Sequence, residues 1–299
     1  MIQRLIVFQI ALMLCLAGCG ADKQSDVLTW GSRGAIAGRF AAPRAIGVND
    51  GFVYVIDRTG RVQKFTEQGE FVLEWLLDNP DKGTPTGIGF DLDGNLWIPD
   101  THQNRILNYS TEGEKLFSFG EYGLEPGRFI YPTDIAVAPN GNLYISEYGR
   151  NGRVQVFTPQ GEFLFSWGSF GSGPDQFNRP MAILLGPDNS LYIADSVNHR
   201  IKVYDLQGNR LRNFGREGNA PGEFLFPYDL AIGDDGDLIV CEWGNHRIQQ
   251  VTTEGNPVNI WGGLGASPGL LAEPWGVAEH TGRIFVADTK NHRIQVFSF

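Results

Sequence analysis

Asp195-Ser-Val-Asn-His-Arg-Ile-Lys-Val-Tyr204 is one of six versions of a single phrase. The others are Asp57…Arg61-Val62, Asp100…Asn104-Arg105-Ile106, Glu147…Arg153-Val154, Glu242…Asn245-His246-Arg247-Ile248 and Asp288…Asn291-His292-Arg293-Ile294. The arginines fall at 61, 105, 153, 200, 247 and 293, a period of 44 to 48 residues. An acid ends one apolar run, a short turn follows, and an arginine opens the next run.

Repeats of this length, each holding several short strands, are the mark of β-propeller blades. The fourth copy displays four runs: Met181–Leu185, Leu191–Ala194, Ile201–Tyr204 and Leu211–Phe214. Between them stand turn-forming stretches such as Gly186-Pro-Asp-Asn189 and Asp205-Leu-Gln-Gly208, as expected between short β-strands. The sixth copy has three runs and stops at Phe299, while Val27-Leu-Thr-Trp30-Gly31 is a fourth run with no repeat in front of it. The expected fold is therefore all-β: a six-bladed propeller of four-stranded antiparallel blades over residues 27–299, closed by the N-terminal strand joining the last blade. The last run of each copy carries an aromatic (Trp30, Trp75, Phe119, Trp167, Phe214 and Trp261), read as packing between blades.

The 299 residues include 39 glycines and 16 prolines without long runs, and 42 % are apolar. This suits many tight turns around an ample core rather than disorder. The formal net charge is −10, from 24 basic and 34 acidic residues. Loss of Arg4 with a leader leaves 23 against 34, or −11. A polyanion such as RNA would be repelled on average, so nucleic acid is not the expected partner.

Met1-Ile-Gln-Arg4 followed by an apolar run from Leu5 to Leu16 reads as a secretory signal, too short to span a bilayer. It ends in Leu16-Ala17-Gly18-Cys19, which resembles the bacterial lipobox. That resemblance implies a lipoprotein signal peptide at 1–18, a lipidated Cys19 carrying a diacylglyceryl thioether and an amide-linked acyl chain such as palmitate, and a tether at 19–26. Several acyl chains anchor stably where one does not. Gly20 after the lipidated position implies the outer membrane in a cell that has two. Cys15 leaves with the leader, so Cys241 remains alone in an apolar strand and no intramolecular disulfide is available.

The pattern Pro-x-Gly/Asp-Ile, Asp-Gly-Asn-Leu-Tyr-Ile/Val, Asp…Asn-His-Arg-Ile resembles the NHL-repeat propellers, over residues 27–299. Blade one lacks the Asn-His pair, blade three has Tyr148-Gly-Arg-Asn-Gly152 in its place, and the linker into blade two lacks the Gly-x-Phe of Gly38-Arg-Phe40.

Sixfold recurrence assigns the Asp…Arg pair to structure, since one active site needs no six copies. The histidines His102, His199, His246 and His292 share the same turn and are spread round the rim, and His280 lies elsewhere, so no tri-histidine zinc site is expected. Functional positions are sought where the repeat does not repeat. The residues after each blade-opening proline, Arg44, Thr86, Thr133, Met181, Tyr228 and Trp275, are the candidate channel-mouth binding residues. Blades three and five alone have Asp two residues after the proline (Asp134, Asp229) and end the second strand with Glu (Glu147, Glu242). These four are candidate ligands for Ca²⁺. They suit a cationic group equally, and the structural alternative is a blade variant whose aspartates are satisfied by local backbone donors.

Two functions follow. The leading one is a membrane-anchored, extracytoplasmic binding or scaffold module for a protein, peptide or glycan, with no nucleic acid. The other is a metal-dependent hydrolase or lyase like the gluconolactonase-type, amidating-lyase and virginiamycin-type propellers. Resemblance gives those a channel metal, and the last two use channel histidines, which none of the six post-proline positions supplies. The first strand being the fourth of its blade, the tether is expected to leave from the face opposite the channel mouth. The varied face would then point away from the membrane.

Overall fold

The computed structural model describes residues 27–79 and 83–299; the leader, Cys19 and the tether lie outside the described residues. Six four-stranded antiparallel sheets stand around a central channel, with almost no helix. Blade one comprises Pro43–Asn49, Phe52–Asp57, Arg61–Thr66 and Phe71–Leu76, and blade two Gly89–Phe90, Leu96–Asp100, Arg105–Tyr109 and Lys115–Phe119. Blade three comprises Pro132–Val137, Leu143–Glu147, Arg153–Phe157 and Phe163–Trp167, and blade four Pro180–Leu185, Leu191–Asp195, Arg200–Tyr204 and Arg210–Phe214. Blade five is Pro227–Ile232, Leu238–Glu242, Arg247–Val251 and Pro257–Gly262. Blade six runs Val277–His280, Arg283–Asp288 and Arg293–Ser298, and Leu28–Trp30 pairs with Arg293–Ser298 as its outer strand. That pairing closes the ring as expected and leaves no open propeller end.

Strands two and three are buried throughout because each is covered by blades on both sides, whereas the outer fourth strands alternate between exposed and half-buried positions. The aromatic of each outer strand but one packs under the turn between strands three and four of the next blade, the exception being Trp261, which meets Phe299 where blade six has no such turn. Trp30 lies under Gly69, Trp75 under Gly113 and Phe119 under Gly161. At Gly69, φ is +87° and an added Cβ would fall 2.4 Å from the Trp30 ring, so both the turn and the packing require glycine there. In blade two, Leu77 joins the cluster of Trp75 and Tyr109, as Phe129 joins that of Phe119 and Phe157 in the next blade. It fills the place left by the missing linker phenylalanine.

The repeated acid and arginine form a clamp. Asp195 is fully buried, receives the Arg200 Nε–H at 2.8 Å and accepts the Asn178 amide of its own linker at 2.7 Å. Arg200 donates onward to the Gly173 and Gln176 carbonyls. Asp57–Arg61, Asp100–Arg105, Glu147–Arg153, Glu242–Arg247 and Asp288–Arg293 repeat the ion pair. Each clamp satisfies a buried charge and fastens the irregular linker to the blade. The turn histidines add a link between blades. Nδ1 of His199, His246 and His292 accepts the amides of Phe226, Glu273 and Ala42, at 3.1, 3.0 and 2.9 Å, and Asn104 Oδ1 does the same for Tyr131 at 2.9 Å. Every one of those amides belongs to the residue before the next blade's opening proline. This fixes the linkers and the turns between strands two and three on one face, which forms the channel mouth.

Candidate functional site: the channel mouth

The residues before the opening prolines are held with positive φ: Ala42 at 57°, Tyr131 at 53°, Arg179 at 62°, Phe226 at 51° and Glu273 at 48°. Residues before proline ordinarily take extended conformations, and a non-glycine residue in the left-handed region is strained by about 1–3 kcal/mol. The histidine and asparagine links stabilise this geometry at four of the five positions. It turns the side chains of Tyr131, Arg179 and Phe226 toward the aromatic groups that rise from the neighbouring turns.

The outcome is a nearly continuous collar of aromatic and cationic groups. His102 packs edge-on to Tyr131 at 5.7 Å, and Tyr131 stacks on Tyr148 at 4.9 Å with 18° between the planes. The Arg179 guanidinium reaches both Tyr148 and Tyr228, 5.4 Å from each ring, and so bridges blades three and five from blade four. Tyr228 stacks on Trp243 and tilts against Trp275 at 4.9 Å, and Arg44 covers Trp275 at 4.4 Å. The His102 pKa is held down by burial and then by the charge of Arg44.

Among the described residues, Arg44, Arg58 and Arg179 have no carboxylate within ion-pair distance, in contrast to the six clamp arginines. Burial, followed by repulsion from Arg58 and Arg179, lowers the pKa of Arg44. The mouth is therefore locally cationic in a chain of net charge −10.

The six post-proline residues divide by blade. Arg44, Tyr228 and Trp275 belong to the collar. Thr133 is fully buried and its hydroxyl reaches the Pro180 carbonyl at 2.7 Å, Thr86 reaches the Thr133 carbonyl at 2.9 Å, and Met181 is buried. The two threonines tie blades together below the mouth.

The four candidate metal ligands also divide. Glu147 and Glu242 are fully buried in their clamps, where they receive Arg153 and Arg247 and the linker amides of Ile130 and Leu225. Asp134 and Asp229 instead line the channel together, one step below the collar, with the Ile183 and Val277 amides donating at 2.9 and 2.8 Å. Burial pushes the Asp134 pKa up to about 7; burial and then the Asp134 charge push that of Asp229 well up. Their oxygens are engaged by backbone donors, and no group of three or more His, Cys, Asp or Glu among the described residues has metal-holding geometry. The four carboxylates do not come together as one Ca²⁺ ligand set. Cys241 is buried, with its thiol pKa raised first by burial.

The sequence does not single out Tyr131, Arg179 and Phe226. Their signal is the variability of the pre-proline position itself, which runs Ala42, Thr84, Tyr131, Arg179, Phe226, Glu273.

Comparison with known proteins agrees with the fold. The NHL repeat pattern matches residues 129–157, 224–251 and 271–297. The chain is a six-bladed β-propeller that carries NHL repeats over those three stretches. A 77-residue stretch is 30% identical to a probable peptidyl-alpha-hydroxyglycine alpha-amidating lyase of Caenorhabditis elegans, covering 24% of this chain and 22% of that protein. A 74-residue stretch is 28% identical to protein brain tumor of Drosophila melanogaster, covering 24% of this chain and 7% of that protein. The chain thus spans less than a quarter of either relative. Virginiamycin B lyase from Staphylococcus aureus superposes with a TM-score of 0.63 at 18% identity, over 92% of this chain and 96% of that one. At that identity the likeness is one of fold.

Proposed function

We propose that this chain is a lipid-anchored, extracytoplasmic binding module, held in the cell envelope through Cys19, in the outer membrane where there are two, and that a protein, peptide or glycan docks on its channel mouth. The observation that carries the reading is the collar running from Tyr131 through Arg179 and Trp275 to Arg44. Its aromatic faces and cations differ from blade to blade, whereas the clamps around them repeat. Rigid aromatic and arginine groups are the residues that dominate recognition surfaces. The membrane end fits as well. Leu28 pairs with Val296 and Trp30 with Ile294, so the closing strand starts on the face away from the mouth and ends toward it. A tether leaving from Leu28 directs the mouth away from the bilayer.

A photo-crosslinking residue at Tyr131, compared with one at Leu92 on the opposite face, tests the reading in intact cells. Discrete adducts at Tyr131 and none at Leu92 support it, and equal labelling at both would refute it. Cys19→Ala is expected to move the protein from the membrane to the soluble envelope fraction.

A second reading, a hydrolase or lyase, is supported by Asp134. A carboxyl that still holds its proton near neutral pH, beside a second carboxylate in a channel, can serve as an acid or base. Glu147 and Glu242 being held in their clamps, a Ca²⁺ in this reading would rest on Asp134 and Asp229, each already accepting a backbone amide, with channel carbonyls and water.

A further inference from the structure

We propose that the seam between blades six and one is a subsite for an oxyanion, a phosphate or carboxylate group carried on an apolar or ring-bearing body, and that this group is the part of the docked ligand the mouth selects. The proposal rests on the mouth-face reading and names the ligand chemistry of that face. A cavity of about 610 Å³ opens there beside the collar, lined by Arg33, Arg44, Arg58, Trp275, His292 and the Lys290–Glu273 pair. Lys290 and Glu273 stand 3.5 Å apart and offset each other. Arg33, Arg44 and Arg58 have no carboxylate partner among the described residues, so the lining is left with three uncompensated guanidinium groups.

Two further features point to an acceptor ligand. His292 Nδ1 accepts the Ala42 amide at 2.9 Å, so the neutral ring carries its proton on Nε2 and has one donor remaining. The Arg44 guanidinium in the same lining makes no hydrogen bond among the described residues, which leaves its outer nitrogens for a ligand. The lining therefore offers donors and positive charge almost exclusively. A guanidinium fork matches an oxyanion in geometry as well as charge. The Trp275 side chain, held between Arg44 and Tyr228, contributes apolar surface to the lining for the body that carries the anion.

The test is calorimetric titration of the full-length protein in nanodiscs of neutral lipid. The probes are phenyl phosphate and phenylacetate, with benzyl alcohol as the uncharged counterpart. At least one anion is expected to bind, with affinity falling as salt is raised, and the alcohol to give no heat; which anion binds more tightly separates a phosphoryl from a carboxyl source. Arg58→Ala, at an exposed residue that makes no clamp contact, is expected to weaken the anion at least tenfold. Arg216→Ala, which breaks only the surface pair with Glu223, should leave it unchanged. Absence of anion binding, or equal affinity in Arg58→Ala and wild type, would overturn the subsite. Crosslinking at Tyr131 that persists in Arg58→Ala would locate that failure in the subsite and leave the mouth-face reading standing.

Discussion

The guanidinium of Arg44 lies 4.4 Å from the ring centroid of Trp275, across the seam where the ring of blades closes. The two residues occupy equivalent positions of successive blades, each just after the opening proline. The pair brings a cation without a carboxylate partner to the edge of a cavity and holds it there by a face rather than by an acid. A charge held in this way remains free to meet an incoming anion.

Arg179 offers a means of separating ligand binding from stability. Its φ of 62° is unfavourable for any side chain but costs glycine nothing. Arg179→Gly is expected to raise the thermal midpoint, reflecting relief of about 1 kcal/mol, offset in part by the contacts with Tyr148 and Tyr228, while crosslinking through Tyr131 falls sharply. A lowered midpoint would mean that those two contacts outweigh the backbone strain.

The histidine links predict an asymmetric pair of substitutions. His292→Ala removes the acceptor of the Ala42 amide and is expected to cost about 1 kcal/mol in urea unfolding. His292→Asn should cost much less, because Asn104 already performs this task between blades two and three. Equal losses would show that the ring's packing, not its Nδ1, holds the linker.

Asp134 gives a pH dependence of defined sign. With its folded pKa raised to about 7 from an ordinary carboxylate value near 4, the folded chain holds a proton that the unfolded chain has released between those pH values. Its contribution to stability is therefore present on the acid side and lost as pH rises from about 4 to about 7. Subtracting the stability curve of Asp134→Asn from that of the wild type should isolate this fall. A flat difference would mean that the carboxyl ionises normally in the channel.

Lys202 shows the opposite sign. It stands where blades one, three and five have Gln63, Gln155 and Gln249, and it is buried among the Pro174 and Gln176 carbonyls at 2.6 and 2.7 Å. Burial lowers its pKa from 10.5 to about 8. Over that window the unfolded chain binds the proton and the folded chain does not, so stability gains from this residue as pH rises. Lys202→Gln should erase that rise, and persistence of the slope in the variant would assign it to another group.

The phrase around Asp195 was enough to read blade number, strand order and ring closure, because each clamp and its flanking apolar runs are specified locally and in register. Half of the mouth was legible too: Arg44, Tyr228 and Trp275 stand out because they break the repeat. Tyr131 and Arg179 were hidden for a conformational reason. A residue before proline is expected to be extended, yet the Asn104 link from the preceding blade holds Tyr131 in the left-handed region, and Arg179 takes the same conformation without such a link. Thr86 and Thr133 show the converse, since their hydroxyls join blades and do not reach the mouth. The pairing of Asp134 with Asp229, without Glu147 and Glu242, was equally inaccessible, because alternation of side chains along a strand and a bulge between Pro132 and Asp134 decide which acids face the channel.

The direction of the histidine and asparagine links also bears on how the molecule comes apart. In an open array of repeats each unit has its own stability plus an interface, and the terminal units fray first. Here blade four restrains the entrance of blade five, blade five that of blade six, and blade six, through His292 and Ala42, that of blade one. Asn104 joins blade two to three, and where the turn offers no such link Thr84 reaches the Arg58 carbonyl between blades one and two and Thr133 the Pro180 carbonyl between blades three and four, so the coupling turns back on itself and no unit occupies a terminal position. A circular chain of nearest-neighbour couplings loses two interfaces when any one member is released, which favours a single all-or-none transition over stepwise peeling and keeps the mouth intact until the whole ring yields.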